Sequence, residues 1–152
     1  MAHAPHYDDA PHYDDSLTIA LLRAREVVTA AFREHVAAAG LTLEQWRVIR
    51  ALASGEKLDT TTLSKRCVIL PPSLTRIINY LLAEGLVVQV PAPDRRQRVI
   101  RITDKGLRCF DEVWVVSQQK YAHIENKYGR DELRNLVTSL NRLREALEGE
   151  FV

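Results

Sequence analysis

Apolar residues recur at helical spacing through the first part of the chain. Between Leu17 and Val36 they return every three or four positions, with Ser16 ahead of them as a helix N-cap and Gly40 behind them as a C-cap glycine. This pattern predicts one long first helix.

Polar residues at fixed offsets predict where the second helix begins. Thr42 and Gln45 have the spacing of a capping box, and the helix they open is expected to stop near Gly55. The residues expected on its inner face are Trp46, Ile49 and Leu52 or Ala53.

Two further helices are predicted to form a helix-turn-helix. The third is short and ends near Cys67, with Asp59 or Thr60 as its cap, and the fourth begins at Pro71–Pro72 and closes at Gly85. The polar face of the fourth helix carries Ser73, Thr75, Arg76 and Asn79. Leu70 stands where a polar N-cap is usual, so this helix start is expected to rely on Ser73 or on a phosphate.

Two β-branched runs, residues 86–90 and 98–102, follow the fourth helix and predict an antiparallel hairpin with a proline-rich loop between them. Alternation places Arg98 on the same side as Ile100 and Ile102, so this arginine is expected near the core unless the strand twists or bulges.

The C-terminal third contains two helical apolar stripes. They consist of Phe110, Trp114, Tyr121, Ile124 and Tyr128, then Leu133, Leu136, Leu140, Leu143, Leu147 and Phe151. Together with the first helix they offer more apolar surface than one small domain covers, which favours packing against a twofold-related copy. An intrachain helical bundle is the alternative.

The predicted fold class is mainly α with a small β-hairpin wing. Residues 1–15 contain APHYDD twice and are expected to form a disordered tail, and residues 16–152 form a single domain. Within that domain the winged helix-turn-helix spans about 41–103, and the dimerisation helices span about 16–40 and 104–152. The tail histidines His3, His6 and His12 are too loosely spaced to favour a metal site, so no metal is expected.

Charge is segregated along the chain although the total is only +1. Residues 63–108 hold nine basic and three acidic residues, a net +6, which indicates a local polyanion-binding surface.

No apolar run is long enough for a membrane span or a signal peptide, so a cytoplasmic protein is expected. No phosphate-binding glycine loop, metal cluster or nucleophile–base motif indicates an enzyme.

The chain resembles the MarR family of winged helix-turn-helix regulators. The similarity is carried by GLTLEQWRVIRAL at 40–52, LSKRCVILPPSLTRIINYLLAEGLV at 63–87 and APDRRQRVIRITDKG at 92–106, in which Asp94 and Arg96 match the family's Asp-x-Arg element. SLTIALLRARE at 16–26 narrows the resemblance to the branch that includes the homoprotocatechuate-degradation repressor. The resemblance implies a homodimer that represses genes for aromatic-compound catabolism.

Residue roles in binding double-stranded, near-palindromic operator DNA follow as hypotheses. The fourth helix would enter the major groove with Ser73, Thr75, Arg76 and Asn79. The wing would reach the minor groove or its phosphates with Arg95, Arg96 and Arg98. Asp94 would pair with an arginine to hold the wing's shape, and Thr62 and Lys65 would contact phosphates. The alternatives are a merely solubilising arginine hairpin and a winged helix used only for protein interaction.

A small anionic aromatic effector is the expected signal, and no other cofactor is expected. Trp46 and Arg50 lie at i, i+4 on one helix face, where an aromatic wall beside a guanidinium suits a planar carboxylate. The candidate ligand residues are Arg25, Arg23, His35, Trp46 and Arg50. For Arg25 an ordinary salt bridge, and for Trp46 and His35 a structural role, are the alternatives. The resemblance suggests hydroxyphenylacetates, hydroxybenzoates or hydroxynicotinates.

Oxidation of a cysteine is the alternative signal. Cys67 falls at a core-like position of the helix-turn-helix and Cys109 at the start of the second dimerisation segment. A redox switch needs an accessible and activated thiol, and neither position favours one.

Overall fold

The computed structural model describes residues 12–150, which form six α-helices and a three-stranded antiparallel sheet. The helices are α1 (Leu17–Ala38), α2 (Leu43–Leu52), α3 (Thr60–Cys67), α4 (Pro71–Ala83), α5 (Asp104–Tyr128) and α6 (Arg130–Leu147). The strands are β1 (Leu58–Asp59), β2 (Val87–Val90) and β3 (Val99–Ile102).

Side-chain caps define where three of these helices begin. Thr42 and Gln45 form the predicted capping box at α2, with both reciprocal hydrogen bonds present. At α3 the cap is Asp59, whose carboxylate accepts from the backbone N–H of Thr62. At α5, Thr103 accepts from the backbone N–H of Gly106. Each cap satisfies an N–H that has no partner within its helix.

Helix α4 begins at Pro71, and its N-cap residue Leu70 forms no side-chain cap. Pro71 and Pro72 have no N–H to satisfy, and the N–H of Leu74 already donates to the carbonyl of Leu70 at 2.9 Å. The N–H groups of Leu70 and Ser73 remain among the usual unpaired donors. The two prolines reduce the number of N–H groups that need a partner, and the Ser73 side chain forms no cap. Contact of this helix start with a phosphate stays a prediction.

The sheet has strand order β1-β3-β2. The predicted hairpin is confirmed, with Val87 opposite Ile102 and Val90 opposite Val99. Strand β1 pairs with the other edge of β3 and was not predicted. At two residues it is too short to show any alternation.

The core is centred on the winged helix-turn-helix lobe and includes Phe32 and Val36 of α1 and Val113 of α5. Within the lobe, the most deeply buried side chains come from α2, α3, α4 and β3, namely Val48, Ile49, Leu52, Leu63, Leu74, Ile78, Leu81 and Ile100. Arg98 is not part of this core, because it precedes the first residue of β3 and lies half-buried at the surface.

Gly106 fixes the position of α5 against the sheet. A Cβ at this residue would collide with the carbonyl oxygen of Leu86 and lie 2.6 Å from Cγ1 of Ile102. The first turn of α5 can therefore approach the backbone just before β2 only because residue 106 has no side chain.

The long helices are much less buried than the lobe. In α1 only Phe32 and Val36 are buried, and in α6 no residue is. The apolar side chains left exposed on these two helices include Leu17, Leu21, Leu22, Val27, Val28, Leu136, Val137, Leu140 and Leu147. A single chain thus leaves the apolar stripes of α1 and α6 largely uncovered. The predicted α5 stripe differs, because Phe110, Trp114, Tyr121 and Ile124 pack against the core of the same chain.

The predicted tail overlaps structured residues. Tyr13–Asp15 form one turn of 3-10 helix, so the expectation of disorder is wrong for this turn. Its packing against α1 explains the difference: Asp14 forms an ion pair of 2.6 Å with Arg23, and the guanidinium of Arg23 lies 5.7 Å from the ring centroid of Tyr13. The rest of the tail, including His3 and His6, lies outside the described residues.

Within residues 12–150, no helix combines the length and apolar character needed to cross a membrane. The same part of the chain contains no group of three or more His, Cys, Asp or Glu side chains that could hold a metal ion.

Candidate nucleic-acid interface and cleft

Helix α4 presents a polar, solvent-exposed face beside the wing. Ser73, Thr75, Arg76 and Asn79 are all exposed, as the sequence predicted. The hydroxyl of Thr75 donates to the carbonyl of Pro71 at 3.0 Å, so its proton is used within the helix and its oxygen remains free to accept. Ser73 and Arg76 have no side-chain hydrogen bond among the described residues and can both donate outward.

Arg98 connects the wing to α4. Its guanidinium donates to Oδ1 of Asn79 at 2.9 Å and to Oε1 of Gln89 at 3.1 Å. The first bond joins two residues that were each predicted to contact DNA. Because the Asn79 carbonyl oxygen is engaged, Asn79 keeps its NH₂ group for an outside partner, and Arg98 acts as a brace between helix and wing.

Asp94 organises the wing turn through backbone groups. Its Oδ1 accepts from the backbone N–H of Arg96 at 2.9 Å, and its carbonyl accepts from the N–H of Gln97 at 3.0 Å. No ion pair to Asp94 occurs within residues 12–150. The predicted pairing with an arginine is therefore corrected: Asp94 holds the wing's shape through the main chain of Arg96, because the tight turn brings that N–H to the carboxylate.

Arg95 and Arg96 project from the wing into solvent. Neither side chain forms an ion pair or a hydrogen bond within the described residues, in contrast to Arg98. Free guanidiniums at the tip of a loop can move to meet phosphates or a groove.

The two residues predicted on α3 differ in availability. Thr62 donates its hydroxyl to Oδ2 of Asp59 at 2.8 Å, in addition to the backbone bond of the cap. These bonds to Thr62 lower the pKa of Asp59 below its usual value. Thr62 is therefore mainly part of the helix cap, whereas Lys65 is exposed and can reach a phosphate.

A cleft of about 560 Å³ lies between α1, α2 and α5. Of the predicted ligand residues, Arg25, Trp46 and Arg50 line it. Residues on its walls that the sequence did not single out for this role are Arg33, Arg47, Phe32, Tyr121 and the acids Glu26 and Glu44. Arg33 pairs with Glu26 at 3.0 Å and Arg47 with Glu44 at 3.5 Å.

Arg50 stands against two aromatic rings of α5. Its guanidinium lies 5.2 Å from the ring centroid of Trp114 and 5.9 Å from that of Tyr121, and it donates to the Tyr121 hydroxyl at 3.0 Å. No carboxylate pairs with Arg50 within residues 12–150. Stacking on aromatic faces orients the guanidinium while leaving most of its donors available.

Trp46 combines two roles. It is only 4% exposed and stacks on Phe110 with centroids 5.4 Å apart, so it is a core residue. It also contributes to the cleft wall.

Tyr121 and Trp114 were predicted only as members of a dimerisation stripe. Their proximity to Arg50 could not be seen in the sequence, because Tyr121 lies 71 positions after Arg50.

Arg23 and His35 do not line the cleft. Arg23 is held at the N-terminal turn by Asp14 and Tyr13. His35 Nε2 is hydrogen-bonded to the buried Ser117 hydroxyl at 2.9 Å, and its Nδ1 is buried without a partner. Burial lowers the pKa of His35 below its usual value, and Lys120 adds to this effect while Glu34 opposes it.

Both cysteines are poor thiolates. Cys67 is buried with its Sγ 3.7 Å from the carbonyl oxygen of Arg47, and burial raises its pKa despite the nearby guanidiniums of Arg47 and Arg66. Burial also raises the pKa of Cys109, with Glu112 adding to the effect and Lys105 opposing it. Neither environment activates a thiol for oxidation.

Known proteins resemble this chain over most of its length. The MarR family model matches residues 39–98. The HTH-type transcriptional regulator FarR of Neisseria gonorrhoeae is 35% identical over 136 residues, 87% of this chain and 93% of FarR. The homoprotocatechuate degradative operon repressor of Escherichia coli is 37% identical over 123 residues, 80% of this chain and 83% of that repressor. The crystal structure of NadR in complex with 4-hydroxyphenylacetate is similar with a TM-score of 0.77 at 34% identity, covering 88% of this chain and 95% of NadR.

The fold class and the family resemblance predicted from the sequence are both confirmed by these matches. The curated relatives are transcriptional regulators and not enzymes, in agreement with the prediction. Together with the exposed polar face of α4 and the arginine-tipped wing, they identify this chain as a transcriptional repressor that belongs to the MarR family of winged helix-turn-helix regulators.

Proposed function

We propose that this protein is a homodimeric repressor of an aromatic-compound catabolism operon. It binds a near-palindromic operator through α4 and the wing, and a small anionic aromatic acid in the cleft between α1, α2 and α5 releases it. The observation that carries the proposal is Arg50, a guanidinium without a carboxylate partner among the described residues, held between aromatic rings at this cleft.

The chemistry of the cleft favours an aromatic carboxylate. Arg50 and Arg25 supply positive charge, and Trp46, Phe32 and Tyr121 supply aromatic surface. A guanidinium can bind a carboxylate through two parallel hydrogen bonds. Two similar proteins support a hydroxyphenylacetate-like ligand for this cleft. One is the homoprotocatechuate degradative operon repressor, and the other is NadR, whose crystal structure contains 4-hydroxyphenylacetate.

Uncovered apolar surface supports the dimer. Val27 is 75% exposed on α1, and Leu140 is 39% exposed on α6. Scattered exposed leucines are ordinary, but here they follow two long helices that contain almost no buried residue. A twofold partner that packs against these helices would cover them.

Helix α2 can transmit the signal. It carries Trp46, Arg47 and Arg50 at the cleft. Arg47 also donates to the carbonyl of Cys67, the last residue of α3, at 3.0 Å. A ligand that moves α2 therefore acts directly on the helix-turn-helix. Because two recognition helices must match half-sites about 34–36 Å apart, a small displacement is enough to prevent both from binding. Release requires that the ligand bind the displaced state more tightly than the DNA-bound state.

The test is an electrophoretic shift on the DNA upstream of the protein's own gene, repeated with hydroxyphenylacetates, hydroxybenzoates and hydroxynicotinates. Wild-type protein should bind and at least one acid should release it. The Arg50→Gln variant should still bind DNA but need about tenfold more acid for half-release, because it loses a charge-assisted contact. The matched control is Arg108→Gln, an exposed arginine at the start of α5, which should respond like the wild type. If the acid concentration that half-releases Arg50→Gln from DNA equals that for the wild type, Arg50 does not have the proposed role.

A further inference from the structure

The turn of the helix-turn-helix carries an exposed apolar patch. Val68 is 81% exposed and Leu70 is 76% exposed, and Pro71 and Pro72, at the start of the recognition helix α4, are exposed as well. We call these four residues the turn patch. It adjoins the DNA-binding surface proposed above, since the first turn of a recognition helix is the part that approaches base edges.

The backbone of the turn patch is strained. Val68 has φ 53° and ψ 55°, the left-handed conformation, and it is the only residue other than glycine with positive φ within residues 12–150. A β-branched side chain is especially unfavourable in this conformation, which glycine or asparagine adopts easily. Strain of this kind is characteristic of functional sites. We therefore expect the exposed Val68 side chain to have a function other than packing in the core.

The start of α4 is also unusually poor in hydrogen-bond donors. Leu70 provides no side-chain cap, and the two prolines have no N–H, so that only Leu70 and Ser73 offer an unpaired N–H at this helix start. A helix N-terminus normally attracts phosphate through several free N–H groups. This one presents mainly carbon atoms and suits an apolar feature of DNA better than a phosphate.

The major groove contains one such feature. Each A·T pair exposes the C5-methyl group of thymine there, and apolar side chains read thymine by contacting it. We propose that Leu70 and Val68 contact thymine methyl groups in the major groove, so that each operator half-site requires thymine where the turn patch lies. This inference rests on the proposed function, because it names the bases read by the same DNA-binding surface.

The experiment compares thymine with deoxyuridine, which lacks only the methyl group. The operator is located by footprinting on the upstream DNA, and fluorescence anisotropy then measures binding to duplexes in which each thymine of the footprint is replaced singly by deoxyuridine. Wild-type protein is expected to bind about fourfold more weakly when a contacted thymine is replaced, which corresponds to burial of one methyl group. Replacing thymines outside the footprint should have no effect.

Variants connect the effect to the turn patch. For each protein we compare the Kd for the duplex with deoxyuridine at the contacted position with the Kd for the thymine duplex. With Leu70→Ala or Val68→Gly this ratio should fall towards one, because the side chain that contacts the methyl group is gone. Val88→Ala truncates another exposed aliphatic side chain of the same lobe and should retain the full ratio. Far-UV circular dichroism checks that each variant is folded.

The outcomes separate this inference from the proposed function. If wild-type protein binds no upstream DNA, the proposed function fails and this inference fails with it. If it binds but no single deoxyuridine weakens binding, or if both turn-patch variants keep the wild-type ratio, only the inference about thymine is overturned.

Discussion

At the scale of single residues, hydrogen-bond partners separate side chains that look alike in the sequence. Arg95, Arg96 and Arg98 are neighbours on one loop, yet only Arg98 is engaged, by Asn79 and Gln89. Charge and spacing identified the wing arginines as a group. They could not distinguish a brace from free guanidiniums, because that distinction depends on Asn79, which is 19 positions away.

The brace can be distinguished from a phosphate contact by the salt dependence of binding. Arg98→Ala is expected to weaken operator binding about fivefold, because the wing loses its hydrogen bond to α4, but to leave the slope of log Kd against log salt near that of the wild type. Arg96→Ala should lower that slope by about one phosphate contact. Anisotropy titrations over a range of salt concentrations measure both. A reduced slope for Arg98→Ala would identify Arg98 as a phosphate ligand instead.

His35 should make stability depend on pH. Its pKa is lowered in the folded chain, chiefly by burial, so near its usual pKa of 6.5 the unfolded chain binds the proton more readily. The neutral His35 ring makes its whole contribution to the free energy of unfolding above about pH 6.5. This contribution is lost as the pH falls towards the pKa of His35 in the folded chain. We expect the Tm to drop as the pH is lowered below about 6.5, and to drop less in His35→Gln.

The control for this measurement is His123→Gln, an exposed histidine on α5. It should keep the wild-type drop in Tm. The lowered pKa of Asp59 affects stability only in a more acidic range, because its usual value is 3.8. An unchanged drop in His35→Gln would exclude His35 as the source.

At the scale of elements, most helices were predictable because their ends have local signals. The capping box at Thr42, the cap at Asp59 and the glycines after α1 and α4 all act within a few residues of the helix they limit. Strand β1 was missed because it exists only through pairing with β3, some 40 residues later. The bonding partner of Asp94 was misjudged for a similar reason, since it is the backbone N–H of Arg96, which no sequence pattern marks.

The junction between α5 and the sheet depends on Gly106. We expect Gly106→Ala to lower the free energy of unfolding by about 2–3 kcal/mol, because a Cβ cannot fit against the carbonyl of Leu86 without moving the helix. Urea denaturation followed by circular dichroism measures the change. The comparison variant is Gly55→Ala, where a Cβ meets no atom within 4 Å and only the positive φ of 82° opposes the substitution. Equal effects of the two substitutions would contradict the close approach at Gly106.

At the scale of the whole molecule, the sequence predicted the apolar stripes of α1 and α6. It did not show whether the same chain buries them. Helical spacing identified Leu136 and Leu140, and a single chain leaves both exposed. The cleft was only partly predictable. Trp46 and Arg50 share one helix and could be paired by spacing, whereas the aromatic rings that orient Arg50 come from α5 and required the folded chain.

Disrupting the stripe of α6 should separate the dimer and abolish DNA binding together. Leu140→Glu puts a charge where the partner is expected to pack, and burying an unpaired charge is strongly unfavourable. Size-exclusion chromatography with light scattering should give the mass of one chain for this variant and of two for the wild type. Thr138→Glu, on the opposite side of α6, should remain dimeric. A wild-type mass of one chain would contradict the dimer itself.

The stacked rings beside Arg50 have a practical consequence. The chain has two tryptophans, Trp46 and Trp114, and both stack on Phe110, with centroid distances of 5.4 Å and 5.7 Å. All of the indole emission of the protein therefore originates within one ring column that borders the cleft. A bound aromatic acid should change this emission, so that effector affinity can be titrated in solution without a label and without DNA.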